Sequence, residues 1–302
     1  MISPQPIIVL AGASGDLGTR IARALVSRGA AVRALIRPNL SAPERIHLTA
    51  LGVSLAETDP EDVASLAAAM AGASCVVSAL NGLHDVILDR QSLLLDAAVS
   101  AGVPRFIPSD YSEDFTHTAP GDNRNLDLRR EFMGRADRAS IQITSILNGA
   151  FMDVLGAEMP IIQPKIRRVL YWISADQPMD FTTKDDVAAY VAAAALDGST
   201  PRFLRIAGET ISARELAGVM SEVTGELYRP LYVGGKGMLG LMIRVAKRAA
   251  PQPGDPFPAW QGMQYMRDMF TGKGKLTPLD NDRYRDLRWT SVREQLSKHR
   301  PS

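Results

Sequence analysis

The sequence predicts an α/β fold in which a doubly wound parallel sheet carries helices on both faces, followed by a smaller C-terminal domain. Three observations lead there. Short apolar runs alternate with helix-period segments throughout the first half of the chain. The first of these runs ends in three glycines spaced three apart, Gly12, Gly15 and Gly18, just ahead of a helical segment. Finally, 302 residues at 46% hydrophobic content suffice for a large α/β domain plus a smaller partner.

The elements follow in order. IIVLAG (7–12) is a buried strand, and Leu17 to Arg28 a helix closed by Gly29. AVRALIR (31–37) is the second strand. Asp59-Pro60-Glu61-Asp62 opens a helix with a cap, a first-turn proline and acids at the positive end of the dipole; it ends at Gly72. ASCVVSAL (73–80) is a third strand, Val86 to Ser100 a helix, and RFIP (105–108) a short strand. A polar loop, a helix from about Leu126 to Arg138 and the strand IQITSIL (141–147) complete the βαβαβ rhythm. Beyond it, RRVLYWI (167–173) and RFLRIAG (202–208) read as strands. Thr183 caps an alanine-rich helix, and Ser212 with Glu215 forms a capping box. From Tyr228 onward strand signals fade. The division is placed near residue 150, giving 1–150 and 151–302, with some later strands able to return to the main sheet.

Composition narrows the function classes. Lysines and arginines number 34 against 33 acids, and they are interspersed, so there is no basic stripe for nucleic acid. One cysteine, Cys75, excludes an intrachain disulfide and fits a reducing compartment. His47, His84, His117 and His299 are scattered, so no metal site is expected. No targeting segment or apolar stretch of membrane-spanning length is seen, and the expected location is cytoplasmic.

The glycines carry the first chemical inference. Glycine permits a tight turn and lets backbone N–H groups approach a pyrophosphate, while the helix N-terminus adds its dipole; Gly18 is the helix-packing glycine. Set in strand, turn, helix and next strand, the glycines read as a dinucleotide site, the alternative being a plain structural turn. An NAD site places an acid at the end of the second strand. Here no acid occurs between Asp16 and Glu44, and the strand ends in Arg37, whose guanidinium suits the 2′-phosphate of NADP. The alternative is a solvated arginine at a strand end.

The chain resembles the NmrA-like branch of the atypical short-chain dehydrogenases, near the isoflavone reductase and phenylcoumaran benzylic ether reductase group. GASGDLG, Arg37, CVVSAL (75–80), RFIPSD (105–110) and ITSILNGAF (143–151) carry the resemblance, with FTTKDDVAAY (181–190) and FLRIAGETISARELAGVMSEVTG (203–225) extending it. It spans about residues 5–225. The resemblance implies a Rossmann fold binding NADP(H), with Ser14, Gly15, Asp16 and Leu17 along the phosphates and Arg37 at the 2′-phosphate. It implies Ser78, Ala79, Leu80 and Asn81 along the ribose and nicotinamide, and Pro108, Ser109 and Asp110 opposite. Asn148, Gly149 and Phe151 would begin the substrate pocket.

One residue departs from the pattern. Reductases of this group carry a proton-handling lysine at the position that falls here on Arg129, and the first lysine of this chain is Lys165. Burial can tune a lysine into an acid or base, whereas arginine stays charged and is a poor proton donor. Arg129 can still polarise an oxygen, with Tyr111 and then Asp110 as candidate proton donors. Taken without the resemblance, Arg129 reads as a solvated helix residue and Tyr111 as a packing residue. Asp110, Glu113 and Asp114 read as a solvated loop edge. Tyr232 to Lys236 is a literal Y-x-x-x-K, but its two internal glycines disfavour the shared helix such a pair needs. GMLGLMIRVAKR (237–248) is apolar with basic residues at its end; the commoner reading is packing on the substrate domain, against a membrane or partner contact.

Two function classes remain. One is an NADPH-dependent reductase of a small aromatic or conjugated carbonyl or ether compound. The other is a catalytically silent NADP-binding sensor acting through a protein partner. The missing lysine favours the second; the intact pocket strand favours the first, which is preferred.

Overall fold

Strand β1 (Ile7–Ala11) shows why a layered sheet forms. Val9 and Ala11 join one buried cluster, while Ile8 and Leu10, on alternate sides, are equally buried. A strand buried on both faces must be covered on both faces. The computed structural model describes residues 5–155 and 159–298; His299 lies outside them. Five further strands join β1: β2 (Ala31–Ile36), β3 (Ser54–Glu57), β4 (Cys75–Ser78), β5 (Arg105–Ile107) and β6 (Gln142–Ile143). The sheet order is β3-β2-β1-β4-β5-β6, and every pairing is parallel. Chain direction along the sheet reverses between β1 and β4, so the crevice beyond their C-terminal ends is the topological switch point where such folds bind ligands.

The helices α1 (Asp16–Ser27), α2 (Ala42–Ala50), α3 (Val63–Met70) and α4 (Gln91–Ser100) connect these strands, with a π-helical turn at Asp85–Arg90 leading into α4. The later helices are α5 (Arg124–Ala136), α6 (Lys184–Leu196), α7 (Ala213–Thr224), α8 (Lys236–Ala249), α9 (Ala259–Thr271) and α10 (Val292–Lys298). The expected elements of the first half are present within a few residues. Helix α2 and strand β3 are additions to them.

The chain forms two compact units that are each discontinuous in sequence. The first comprises residues 1–110, 128–146 and 187–204; the second comprises 111–127, 147–186 and 205–302. The first holds the six-stranded sheet. The second holds short mixed sheets built from β8 (Ala150–Phe151), β9 (Ile162–Gln163), β10 (Arg168–Trp172), β11 (Met179–Thr182), β13 (Glu209–Ile211) and β14 (Arg229–Gly234); β7 (Ser145–Leu147) pairs with β12 (Phe203–Arg205). Its core gathers Phe181, Trp172, Met220, Leu239, Ile243 and Phe270.

Strand β14 corrects the expectation that strand structure fades after Tyr228. It pairs in parallel with β10 as an outer strand of its sheet. Tyr232 lies on this strand and Lys236 begins α8, so the literal Y-x-x-x-K does not share a helix. In α8, Leu239 and Ile243 pack into the second unit's core, while Met238, Leu241 and Val245 face solvent. Among the described residues, no helix is long and apolar enough to cross a membrane, and no cluster of metal-ligating side chains occurs.

Candidate functional site

In the first unit, the ends of β1, β4 and β5 converge. Gly12 adopts φ +81°, and a Cβ there would lie 2.7 Å from the Ala79 carbonyl oxygen. A Cβ at Gly18 would lie 2.0 Å from the Gly12 carbonyl oxygen. Both positions therefore require glycine: the first for a left-handed turn, the second for the approach of α1 to that turn. Gly15 N donates to Gly12 O at 3.1 Å and closes the turn. Gly15 is also the N-cap of α1, so no cap side chain occupies the first-turn amides, and Asp16 pairs with Arg20 at 2.8 Å. Ser14, Gly15 and Asp16 are exposed, and Leu17 is half-buried. The positive end of the α1 dipole is thus open to an anion.

The β4 and β5 exits are stitched together. Ala79 N donates to Ala11 O at 2.9 Å, Ser109 Oγ donates to Leu80 O at 2.6 Å, and Ser109 N donates to Gln91 Oε1 at 2.9 Å. Pro108 O accepts from Asp110 N at 2.9 Å, and Asn81 is exposed beside them. Ser78 is fully buried and its hydroxyl has no partner in the protein. An uncapped helix end, two positions that exclude a Cβ and an orphaned hydroxyl fit a dinucleotide cofactor.

Arg37 follows β2 and is exposed. A cavity of about 220 Å³, lined by Ser14, Pro43, Glu44, His47 and Leu48, lies against the glycine turn. Only Ser14 among these was anticipated. The others sit on α2, whose start was legible in the capping box Ser41-x-x-Glu44 with Pro43 in the first turn. Glu44 is held below the usual carboxylate range, chiefly by Ser41 hydrogen bonds and to a lesser degree by Arg37. The Ser41 amide donates to Glu44 Oε2 at 3.2 Å. Glu44 is therefore engaged in capping, and Glu57, which faces Ile36 across the sheet, is paired with Arg45 at 2.8 Å.

Arg129 is 7% exposed, so it is not the solvated helix residue expected from sequence alone. Nor is Asp110, Glu113 and Asp114 a solvated edge: they are 0%, 2% and 0% exposed. Burial pushes the Asp110 carboxyl up, while the Ser145 hydrogen bond and the Arg129 and Arg202 guanidiniums pull it back. Ser145 Oγ donates to Asp110 Oδ2 at 2.5 Å and accepts from Arg202 Nη1 at 2.7 Å; Arg202 Nε reaches Asp137 at 2.8 Å. Sequence reading did not single out Ser145 or Arg202, because contacts so distant in the chain leave no local signal. All seven lysines, Lys165, Lys184, Lys236, Lys247, Lys273, Lys275 and Lys298, fall in the second unit, so the first contains none.

Tyr111, Asn148, Gly149 and Phe151 belong to the second unit. Tyr111 is buried. Asn148 N and Gly149 N both donate to Ser112 O, at 3.0 and 3.1 Å, and Thr182 Oγ1 donates to Asn148 O at 2.7 Å. Lys184 Nζ stands 6.0 Å from the Phe151 ring centre. The three residues expected to begin a substrate pocket are thus fixed by backbone hydrogen bonds and neighbouring strands.

Comparison with known proteins places these features in context. The profile of the NmrA-like family matches residues 4–283. Pinoresinol reductase 2 of Arabidopsis thaliana is 26% identical over 249 residues, covering 77% of this chain and 78% of that protein. The isoflavone reductase homolog IRL of Zea mays is 27% identical, covering 99% of both chains. Among solved structures, "AtPrR2 with NADP+ and (+)pinoresinol" superposes with a TM-score of 0.81 at 23% identity, over 98% of this chain and 99% of that one; at this identity the likeness is one of fold.

Proposed function

For a chain that belongs to the NmrA-like family, we propose the activity of an NADPH-dependent reductase acting on a small aromatic or conjugated carbonyl or ether compound. The observation that carries this reading is the glycine turn, built so that Gly12 and Gly18 admit no side chain and α1 presents uncapped amides. The relatives, reductases by name that span most of this chain, support it.

Bound at this site, NADPH supplies a hydride. Ser14 and the α1 amides would hold the pyrophosphate, and Arg37 the 2′-phosphate. Ser78 to Asn81 and Pro108-Ser109 would line the ribose and nicotinamide. Arg129 holds negative charge that develops on the substrate oxygen, and Tyr111 or Asp110 delivers the proton. Asn148, Gly149 and Phe151 contribute to the substrate pocket.

The test mixes protein with NADPH and follows loss of reduced nicotinamide absorbance against aromatic aldehydes, enones and benzylic ethers. Protein-dependent oxidation is expected. Arg129→Ala should slow it by about a hundredfold, the size of effect seen when one donor to a developing oxyanion is removed. Unchanged turnover in Arg129→Ala would remove the role given to this residue. The second reading, a catalytically silent NADP(H) sensor with a protein partner, is favoured by the absence of lysine from the first unit; tight NADPH binding without oxidation of any compound would select it.

Arg37→Ala should weaken NADPH by roughly 10–100-fold, the worth of a charge-assisted contact to the 2′-phosphate, and leave NADH unchanged. Titration of both cofactors checks this. Equal losses would place Arg37 away from the 2′-phosphate.

A further inference from the structure

Between Leu227 and Gly254 the chain carries five cations, Arg229, Lys236, Arg244, Lys247 and Arg248, and no acid. The whole chain is balanced, at 34 cations against 33 acids, so this excess is local. The same stretch holds six of the twelve large hydrophobic side chains exposed among the described residues: Leu227, Leu231, Tyr232, Met238, Leu241 and Val245. All of it belongs to the second unit.

These side chains adjoin one another. On α8, Met238, Leu241 and Val245 recur at i, i+3 and i+7, on the side turned away from the buried Leu239 and Ile243. They are 51%, 47% and 57% exposed. Arg244 and Arg248, also exposed, follow Leu241 at the same spacing. A Cβ at Gly234 would lie 2.8 Å from Met238 Cβ, and Gly234 O accepts from Ile173 N at 3.1 Å. Ile173 is exposed too, so the apolar strip runs from Ile173 past the end of β14 and along α8. None of the five cations forms an ion pair among the described residues, and Lys247 rests over the Trp260 ring at 5.0 Å. The bordering acids are engaged: Glu226 pairs with Arg167 at 2.9 Å, and Asp255 Oδ1 accepts from Phe257 N at 2.8 Å.

Single exposed hydrophobic side chains are ordinary, but a strip of them set among charges of one sign marks a contact surface. A second copy of the chain is a poor occupant, because a two-fold contact would set these cations against themselves. Protein interfaces keep charge at the rim and lysine scarce, whereas here the cations stand along the strip itself. A bilayer surface presents uniform negative charge with an apolar layer beneath it. Long Arg and Lys side chains reach its phosphates while neighbouring Met, Leu and Val pass between the head groups. At 14 residues α8 is too short to span, so the contact is made from the surface.

We infer that α8 and the end of β14 form a docking face for an anionic lipid bilayer, with Met238, Leu241 and Val245 entering the head-group boundary and Arg244 and Arg248 meeting lipid phosphates. The docking face stands independently of the reductase reading.

The test is flotation of the full chain with lipid vesicles. The wild type should float with phosphatidylcholine vesicles containing about one-third phosphatidylserine and stay behind with pure phosphatidylcholine. Arg244→Glu combined with Arg248→Glu should lower partitioning more than about tenfold, as should a rise in salt to about 0.5 M. Leu241→Ser combined with Val245→Ser should lower it about tenfold. All four positions are exposed, so the melting temperature should hold in both double variants. Cys75, the only cysteine, is buried, so Leu241→Cys takes an environment-sensitive fluorophore selectively. Its emission should shift to the blue on the anionic vesicles, and that of a label at Val99→Cys, exposed on α4, should not. No partitioning to anionic vesicles, equal partitioning to neutral ones, or partitioning unchanged by both double variants would overturn the inference. So would a dimer in sedimentation velocity that Leu241→Ser with Val245→Ser dissolves, which gives the face to a second copy. Capture by polyglutamate without vesicle binding would give it to an acidic protein and overturn it equally.

Discussion

Gly18→Ala should abolish useful dinucleotide binding and destabilise the first unit. The new Cβ would sit 2.0 Å from the Gly12 carbonyl oxygen, 2.8 Å from its carbon and 3.0 Å from Ala13 Cα. All three are backbone atoms, so no side-chain rotation relieves the clash. Gly12 cannot retreat easily: its own face lies against the Ala79 carbonyl, and its oxygen accepts the bond from Gly15 N that closes the turn. Relief requires α1 to lift away from β1, which carries the first-turn amides off the pyrophosphate position. Overpacking of this kind costs about 1–3 kcal/mol in stability. A comparable loss at the binding site corresponds to roughly a hundredfold in NADPH affinity. Calorimetric titration and denaturant unfolding measure the two effects. Gly218→Ala is the control: nothing lies within 4 Å of a Cβ there, and its place inside α7 predicts a gain of about 1 kcal/mol from helix propensity. Wild-type affinity for NADPH in Gly18→Ala would sink the assignment of this turn.

Legibility of the fold tracked burial in part. Strands β1 and β4 are buried along nearly their whole length, and α1 turns Gly18, Ile21, Ala22 and Leu25 inward at helical spacing, so pattern alone located them. Three of the elements that escaped bury little, although β11, buried at all four positions, and α9, which buries seven residues, escaped as well. Helix α2 buries only Leu48, strand β3 buries none of its residues, and β14 buries only Gly234. Hydrophobic periodicity reports the surface a segment gives to the core, and edge elements give little. Their signals are local and chemical instead, like the Ser41–Glu44 capping box.

The candidate site divides along the same line. The glycines and Arg37 were readable because turn geometry and strand-end chemistry are encoded within a few residues. The acidic loop was misread, because its burial comes from distant chain. Asp110 is held by Ser145, Glu113 lies against Gly274, and the Asp114 amide donates to Gly274 O at 3.1 Å. A run of acids is normally solvated, and only the tertiary partners reverse that expectation.

Asp114 is where that reversal has its largest consequence. Its Oδ1 accepts from Thr116 N at 3.0 Å and Thr116 Oγ1 at 2.5 Å, and its Oδ2 accepts from Arg205 Nε at 2.6 Å. Asp114 is fully buried and the Arg205 side chain is 17% exposed, so this pair is poorly screened by solvent. Asp114→Ala removes the carboxylate from beside the guanidinium and strips two donors of their acceptor. The expected loss is about 3–5 kcal/mol, the range for removing one partner of a buried ion pair. Asp114→Ala combined with Arg205→Leu should cost less than the sum of the two single losses, since both changes break the same buried ion pair. Denaturant midpoints of the two single variants and the double variant decide the matter. A loss under about 1 kcal/mol in Asp114→Ala, the size expected of an exposed pair, would show that solvent reaches this carboxylate in solution.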